Sequence, residues 1–394
     1  MALPNVIIKL ENGALGRAAA SADGVAGLIL TGTPEGNLEL NTVYQLASLR
    51  DLSNLGVTEE NNPLLQKDVS AFYKQAGDGA ELYLIVVAPA TTLTAMCGTE
   101  ETSALRRLID YGKRRIRLVG INRIPATGYL ANVATTGIDK DAVTAASNAQ
   151  SVADNYTSQV NPFRVFMPAI LWDGTTNKLF SPREASFNRV GFVLAADSKF
   201  DDFTSPAIGQ VLGRAAAIPV NQSIARVKTG AIQSGDAYLS NGSTVEEKAG
   251  IADLLNDAGY LFYLTFIAKN GYYLNDDHMA APLTDDYGNL NLGRVIDKAI
   301  IQAYVAYIDE INDNVKVDKD GKIPPELCKY FEGRIENAVA VTMQNEISSF
   351  DASINPDQNI LSSSRMDVVC KIVPTGILRE IKVSLGFENP ALKK

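Results

Sequence analysis

The sequence predicts an α/β domain at residues 25–242, an α+β domain at 243–374, and extended β-strand arms at 1–24 and 375–394. Three observations carry this reading. Up to residue 219, short, nearly continuous apolar runs alternate with amphipathic segments, the pattern of a sheet covered by helices on both faces. From 243 onward the pattern changes to a hairpin, a pair of long amphipathic segments and a pair of strands. Each end of the chain carries a short run of strand-like residues set apart from the rest by residues with little to bury.

The N-terminal arm reads from Asn5 through Val6, Ile7, Ile8 and Lys9 to Leu10. A small-residue stretch, GALGRAAASADG, follows at 13–24 and reads as a flexible connection. Strands are expected at 25–32, 81–88, 115–121, 163–171 and 189–196. Helices are expected near 40–50, 62–76, 99–111, 139–159 and 205–217, the second with Leu65, Val69 and Phe72 at helical spacing.

Residues 220–245 are rich in Gly, Ser, Thr and Asn and read as a loop or a boundary. The next helix is expected to start at Ser243 with Glu246 in capping-box spacing, and to end at Gly259. Runs at 260–268 and 272–274 flank Lys269-Asn270-Gly271, a strong hairpin signal. A long helix follows, with Val295, Ile296, Ala299, Ile300, Ala303, Tyr304 and Tyr307 on one stripe. The turn KDGKIPP separates it from a second helix at 325–350. Two strands, 365–374 and 377–387, close the chain around Pro374-Thr375-Gly376. In the last of these, Ile381, Val383, Leu385 and Phe387 alternate with Lys382, Ser384 and Gly386.

Composition narrows the function. The net charge is −9, with Asp and Glu outnumbering Lys and Arg by 45 to 36, which argues against phosphate-backbone binding. The most basic run, RRLIDYGKRRIR at 106–117, reads as a solvated helix face before a strand, with a basic docking patch as the rival reading. Cys97, Cys328 and Cys370 are widely spaced and odd in number, so neither a disulfide framework nor a zinc site is expected. The N-terminus lacks the layout of a signal peptide, and no uninterrupted apolar run approaches roughly 18 residues. A soluble protein made in the cytoplasm is expected.

Catalytic constellations are sparse. His278 is the single histidine, no G-x-S-x-G elbow is present, and its neighbours Asp276 and Asp277 read as a polar turn rather than a cation site. VDKDGKI at 317–323 fails as an EF-hand, because the alignment puts Lys316 and Leu327 where oxygen ligands belong. The first strand leads into TGTPEGN, with Glu35 where a phosphate loop carries a cation, and the glycines of IGQVLGRAAA at 208–217 have the wrong spacing for a dinucleotide. Trp172 and the tyrosines read as core. No cofactor and no metal is expected, and a nucleotide- or metal-dependent enzyme of the first domain stands as the alternative to a structural role.

Terminal strands can pair with the chain's own sheet or with a neighbouring subunit, and the pattern leaves both open. The C-terminal order is informative here. The helix EEKAGIADLLNDAG, the hairpin YLFYLTFIAKNGYYLNDDHMA, a helix carrying Arg294 and Asp297 as an R-x-x-D start, and CKIVPTGILREIKVSLGF come in a sequence that resembles the contractile tail sheath proteins of phages and related injection machines. The opening GVAGLILTG and the N-terminal arm are also similar to that family; residues 30–240 match only in general α/β character, and Asp276-Asp277-His278 departs from commoner members.

The resemblance implies a multidomain, non-enzymatic sheath-like subunit. Such subunits stack as six-fold rings around an inner tail tube, meet baseplate and terminator proteins, and contract to drive the tube through a target envelope. It implies assembly into a phage tail or injection particle, with no nucleic-acid partner and no membrane insertion. It also implies that Asn5 to Leu10 and a C-terminal arm containing Ile377, Arg379, Ile381, Lys382, Val383, Leu385 and Phe387 link each copy to its neighbours. A mainly β tail-tube or capsid-type assembly protein is the other structural reading, and the repeated helices speak against it.

Overall fold

The computed structural model describes residues 22–201 and 203–388. The expected arm residues Asn5, Val6, Ile7, Ile8, Lys9 and Leu10 lie outside the described residues. The chain separates after Val315 into two compact units.

The first unit runs in this order: β1 (Ala26–Thr31), β2 (Val43–Leu46), α1 (Leu49–Asn54), α2 (Pro63–Ala76), β3 (Leu82–Val87), α3 (Leu93–Met96), α4 (Ala104–Tyr111), β4 (Leu118–Asn122), α5 (Lys140–Ser158) and β5 (Arg164–Pro168). It continues with β6 (Val190–Val193), β7 (Ala195–Phe200), β8 (Phe203–Pro206), α6 (Ile208–Ala217), β9 (Tyr238–Leu239), α7 (Ala252–Ala258), β10 (Tyr263–Leu264), β11 (Tyr273–Leu274) and α8 (Leu290–Tyr307). The main sheet has strand order β2-β3-β1-β4-β5-β6, parallel except for the antiparallel edge strand β2.

The apolar strands are buried on both faces because successive side chains enter different cores. Ile29, Ile85, Val119 and Val165 face a core closed by Leu105 and Leu108 of α4 and the small side chains Ala142, Ala145 and Ala149 of α5. Leu28, Leu30, Leu84 and Phe166 face the other, closed by Leu65, Val69 and Phe72 of α2 and Ile208, Val211 and Leu212 of α6. The glycines of IGQVLGRAAA serve this second core. A Cβ at Gly209 would lie 2.1 Å from the Asp68 carbonyl oxygen, and one at Gly213 would lie 2.5 Å from that of Phe72. They let α6 sit directly on α2. Gly209→Ala is expected to force the two helices apart and cost about 1–3 kcal/mol, read as a fall in urea midpoint.

Several expectations are corrected. The helix near 40–50 is instead strand β2 followed by α1. Asn41 takes a left-handed φ of 61°, Val43 and Leu46 pair with Ile85 and Leu82, and the helix starts only where Ser48 and Asp51 form a reciprocal cap. The helix at 99–111 begins at Ala104, capped by the Ser103 hydroxyl. The strand at 189–196 splits, β6 staying in the main sheet while β7 joins β8 and β9 in a separate sheet of order β8-β7-β9.

Ser243 and Glu246 do not form the capping pair. It forms one residue later, Thr244 Oγ1 accepting from the Glu247 N–H at 3.3 Å and Glu247 Oε2 accepting from the Thr244 N–H at 2.9 Å. The helix proper is short, and it ends at Gly259 with φ 93°. The expected hairpin exists, but only Tyr263–Leu274 and Leu264–Tyr273 pair, around a longer loop. Residues 242 and 243 do not separate compact units. Leu261 donates to the Phe192 carbonyl at 2.9 Å and accepts from the N–H of Leu194 at 2.8 Å, while Ala280 donates to the Val190 carbonyl at 2.7 Å, so this segment extends the β6 edge of the main sheet.

The second unit contains α9 (Pro325–Met343), β12 (Ile347–Ile354), α10 (Ile360–Ser363) and β13 (Val368–Pro374). The helix expected at 325–350 stops at Met343 because Ile347, Ala352 and Ile354 are turned inward in a strand that pairs antiparallel with β13. The strand expected at 377–387 is not formed among the described residues.

Candidate functional site

Two features stand out against the scaffold, one in each unit. The first is the start of α8. Its N-terminus is capped from the turn that precedes it. Asp277 accepts from the Leu290 N–H through its backbone carbonyl at 2.8 Å, and its carboxylate accepts from the Asn291 N–H at 3.3 Å and from Asn289 Nδ2 at 3.0 Å. A carboxylate at a helix N-terminus meets both the free N–H groups and the positive end of the helix dipole. The neighbouring His278 is buried, with Nε2 3.0 Å from Asn256 Oδ1 and Nδ1 2.5 Å from Nη2 of the Arg183 guanidinium. The Asp276-Asp277-His278 turn thus joins structural elements.

About two turns into α8, Asp297 holds two buried arginines from the rim of the main sheet. Arg164 donates to it through Nε at 2.8 Å and Nη2 at 3.3 Å, a bidentate grip, and Arg189 through Nη1 at 3.1 Å. The Arg164 side chain is 1% exposed and that of Asp297 is 7% exposed, so neither charge is satisfied by bulk water. Arg164 also donates to the Asn188 carbonyl at 2.7 Å, and Arg189 reaches Asp154 at 3.3 Å. Gly293 makes room for this grip, since a Cβ there would lie 2.0 Å from the Arg164 guanidinium carbon. Arg294 points the other way and donates to the carbonyls of Asp23 and Ile218, each at 3.3 Å, while Lys298 pairs with the Asp23 carboxylate at 2.8 Å. The sequence pointed to Arg294 and Asp297 but not to Arg164, Arg189 or Asp23. The available signal was an arginine inside the apolar strand run FRVFM, a residue type that is buried only when paired.

The second feature is the end of the chain. Among the described residues β12 and β13 form a two-stranded sheet, so each has one strand neighbour. Among the described residues after Pro374 no strand is formed, yet Ile381, Val383, Leu385 and Phe387 are 73%, 71%, 93% and 111% exposed. Leu378 is 76% exposed as well. Such a run of alternating apolar side chains left in water lacks a surface to cover it within the described chain.

The place where a ligand would sit in an open α/β sheet is filled. That place lies beyond the carboxyl ends of β1 and β4, where connections leave to opposite sides. Here Asn122 at the end of β4 donates to the Asp68 carboxylate at 2.9 Å and to the Pro206 carbonyl at 3.1 Å. Asp68 in turn accepts from the Gly209 N–H at 3.1 Å, occupying the N-terminus of α6 as an anion would. Lys67 completes the cluster, 3.0 Å from Asp68 and 2.8 Å from Asp197. Among the described residues no group of three or more His, Cys, Asp or Glu is placed to hold a metal ion. None of the described helices is long and apolar enough to cross a membrane.

Asp197 gives this cluster a pH signature. Burial raises its carboxyl to about 6, against the pull of Lys67 and with a further push from Asp68. A folded value above the unfolded one means that the folded state binds the proton more tightly, so stability rises as pH falls from above 6 towards 4. Asp197→Asn is expected to abolish that gain, at most about 3 kcal/mol, in melting temperatures compared at pH 5 and pH 8.

The chain matches the DUF2586 N-terminal domain over residues 3–278 and the DUF2586 C-terminal domain over residues 286–392. No curated protein matches it. Among solved structures, a chain of the anti-feeding prophage baseplate aligns with a TM-score of 0.62 and 13% identity, covering 98% of this chain and 99% of that one. The anti-feeding prophage helical sheath in its contracted state gives 0.61 and 13%, with the same coverage. A sheath tail protein from Desulfitobacterium hafniense gives 0.51 and 10%, covering 94% of this chain and all of that one. The paired domain matches and these alignments lead to one conclusion: the chain belongs to the DUF2586 family, and its fold is that of the contractile tail sheath proteins.

Proposed function

We propose that this protein is the structural subunit of a contractile tail sheath, polymerising as stacked hexameric rings around an inner tube and contracting to drive that tube through a target envelope. The observation that carries the reading is the exposed, alternating apolar segment after Pro374, next to a sheet that has two strands among the described residues. Added to a strand edge of another copy, the segment gains main-chain hydrogen bonds and covers one face, while the alternation sets its register. A copy that gives a strand to one neighbour and takes one from another makes a heterologous contact, which propagates into rings or helices. Arm residues Asn5 to Leu10 take the corresponding part at the other end. The near-complete alignment with a sheath chain recorded in a contracted assembly supports the same reading. Baseplate, terminator and inner-tube proteins are the partners it entails, and an enzymatic role is not part of it: Asp68 and Lys67 fill the position a nucleotide would need.

The test is negative-stain electron microscopy of the purified full-length chain across a concentration series. Hollow tubes with six-fold cross-sections are expected. A dispersed monomer at every concentration and salt condition would overturn the proposal.

A further inference from the structure

We infer that Asp23, clamped to α8 by Lys298 and Arg294, fixes the Ala22–Gly24 turn to the first unit, so that the chain ahead of it is anchored at this point. The inference rests on the sheath reading for its role, but its geometry stands alone. Asp23 belongs to a single 3-10 turn, Ala22–Gly24, at the start of the described chain. Both its polar ends are used: the carboxylate meets Lys298 at 2.8 Å, and the backbone carbonyl accepts from Arg294 at 3.3 Å. The pair is sheltered, with Lys298 13% and Asp23 23% exposed. Gly24 is wedged at the end of α6, where a Cβ would lie 2.3 Å from the Ala216 carbonyl oxygen, so the turn cannot shift towards that helix.

Arg294 ties the same point to α6 through the Ile218 carbonyl, and Asp297, one turn away, ties α8 to Arg164 and Arg189 of the sheet rim. A pull on the N-terminal segment is therefore delivered first to Asp23 and then, through α8, to the main sheet rather than to β1 alone. Asp23 and Lys298 are positioning residues that act through the segment they hold. In a lattice whose copies are linked by terminal arms, they keep the link attached to the rigid part of the subunit while the rings rearrange.

The test is a charge swap in the full-length protein with two readouts. Asp23→Lys and Lys298→Asp each are expected to speed hydrogen exchange in the peptide covering 22–30 by about tenfold or more, and to lower the yield of polymer, while the melting temperature of the monomer changes little. The double variant is expected to restore both. Lys298→Gln carries the same test if either reversal fails to fold. Exchange unchanged in the single variants, or not restored in a folded double variant, would overturn the clamp. Restored exchange with no polymer from any protein, the native chain included, would instead count against the sheath reading and leave the clamp standing.

Discussion

Replacing Asp297 by Ala is expected to destabilise the first unit by about 3–5 kcal/mol, a large share of the ordinary stability of a domain. The reason is asymmetric. The variant removes one carboxylate and leaves two arginines, Arg164 at 1% side-chain exposure and Arg189 at 10%, buried without their main counter-charge. Arg189 keeps a contact with Asp154, which is more than half exposed, but Arg164 keeps only the Asn188 carbonyl. Asp297→Asn, which retains an acceptor but no charge, is expected to fall between the native chain and the Ala variant. Gly293→Ala tests the same grip from the other side, because its methyl group would occupy the position of the Arg164 guanidinium. Urea unfolding of the three variants checks the ranking. A loss below about 1 kcal/mol for Asp297→Ala would show that the R-x-x-D start of α8 is not an anchor.

The second large effect is on assembly rather than stability. Substituting Lys for both Ile381 and Val383 is expected to weaken each inter-subunit contact by about 3–6 kcal/mol, or roughly two to four orders of magnitude, since each apolar side chain is worth about 1.5–3 kcal/mol when covered. The monomer should melt at the same temperature as the native chain, because these side chains are already exposed. Changes of Ser384 and Lys382, which occupy the alternate positions, are expected to shift the critical concentration for polymerisation far less. A pelleting assay across protein concentration reads this difference. Equal effects from both sets of positions would rule out a strand with one covered face.

How far the sequence reached depended on the range of the interactions involved. The apolar runs at 25–32, 81–88, 115–121 and 163–171 and the helices at 62–76, 139–159 and 205–217 were legible because both cores are reported by local periodicity. Strand β2 was not, because its conformation comes from pairing with β3 about 40 residues away, against a local pattern that also fits a helix. The end of α9 failed for the same reason: Ile347 fits a helical stripe, and only the partner strand at 368–374 turns it into β12. In the candidate site, Arg294 and Asp297 are singled out by the resemblance to the R-x-x-D helix of contractile tail sheath proteins. Their partners Arg164, Arg189 and Asp23 lie 133, 108 and 271 residues from them in sequence, and no local pattern links residues so far apart.

The most direct test compares the full-length chain with one ending at Thr375, side by side in the electron microscope and in thermal melts. The segment after Pro374 should contribute nothing measurable to the melting temperature of the monomer and everything to polymerisation. Hollow tubes from the full-length chain, with equally stable but dispersed particles from the shortened one, are the predicted result. Tubes formed by the chain that ends at Thr375 would contradict the assignment of the C-terminal strand as the link between copies.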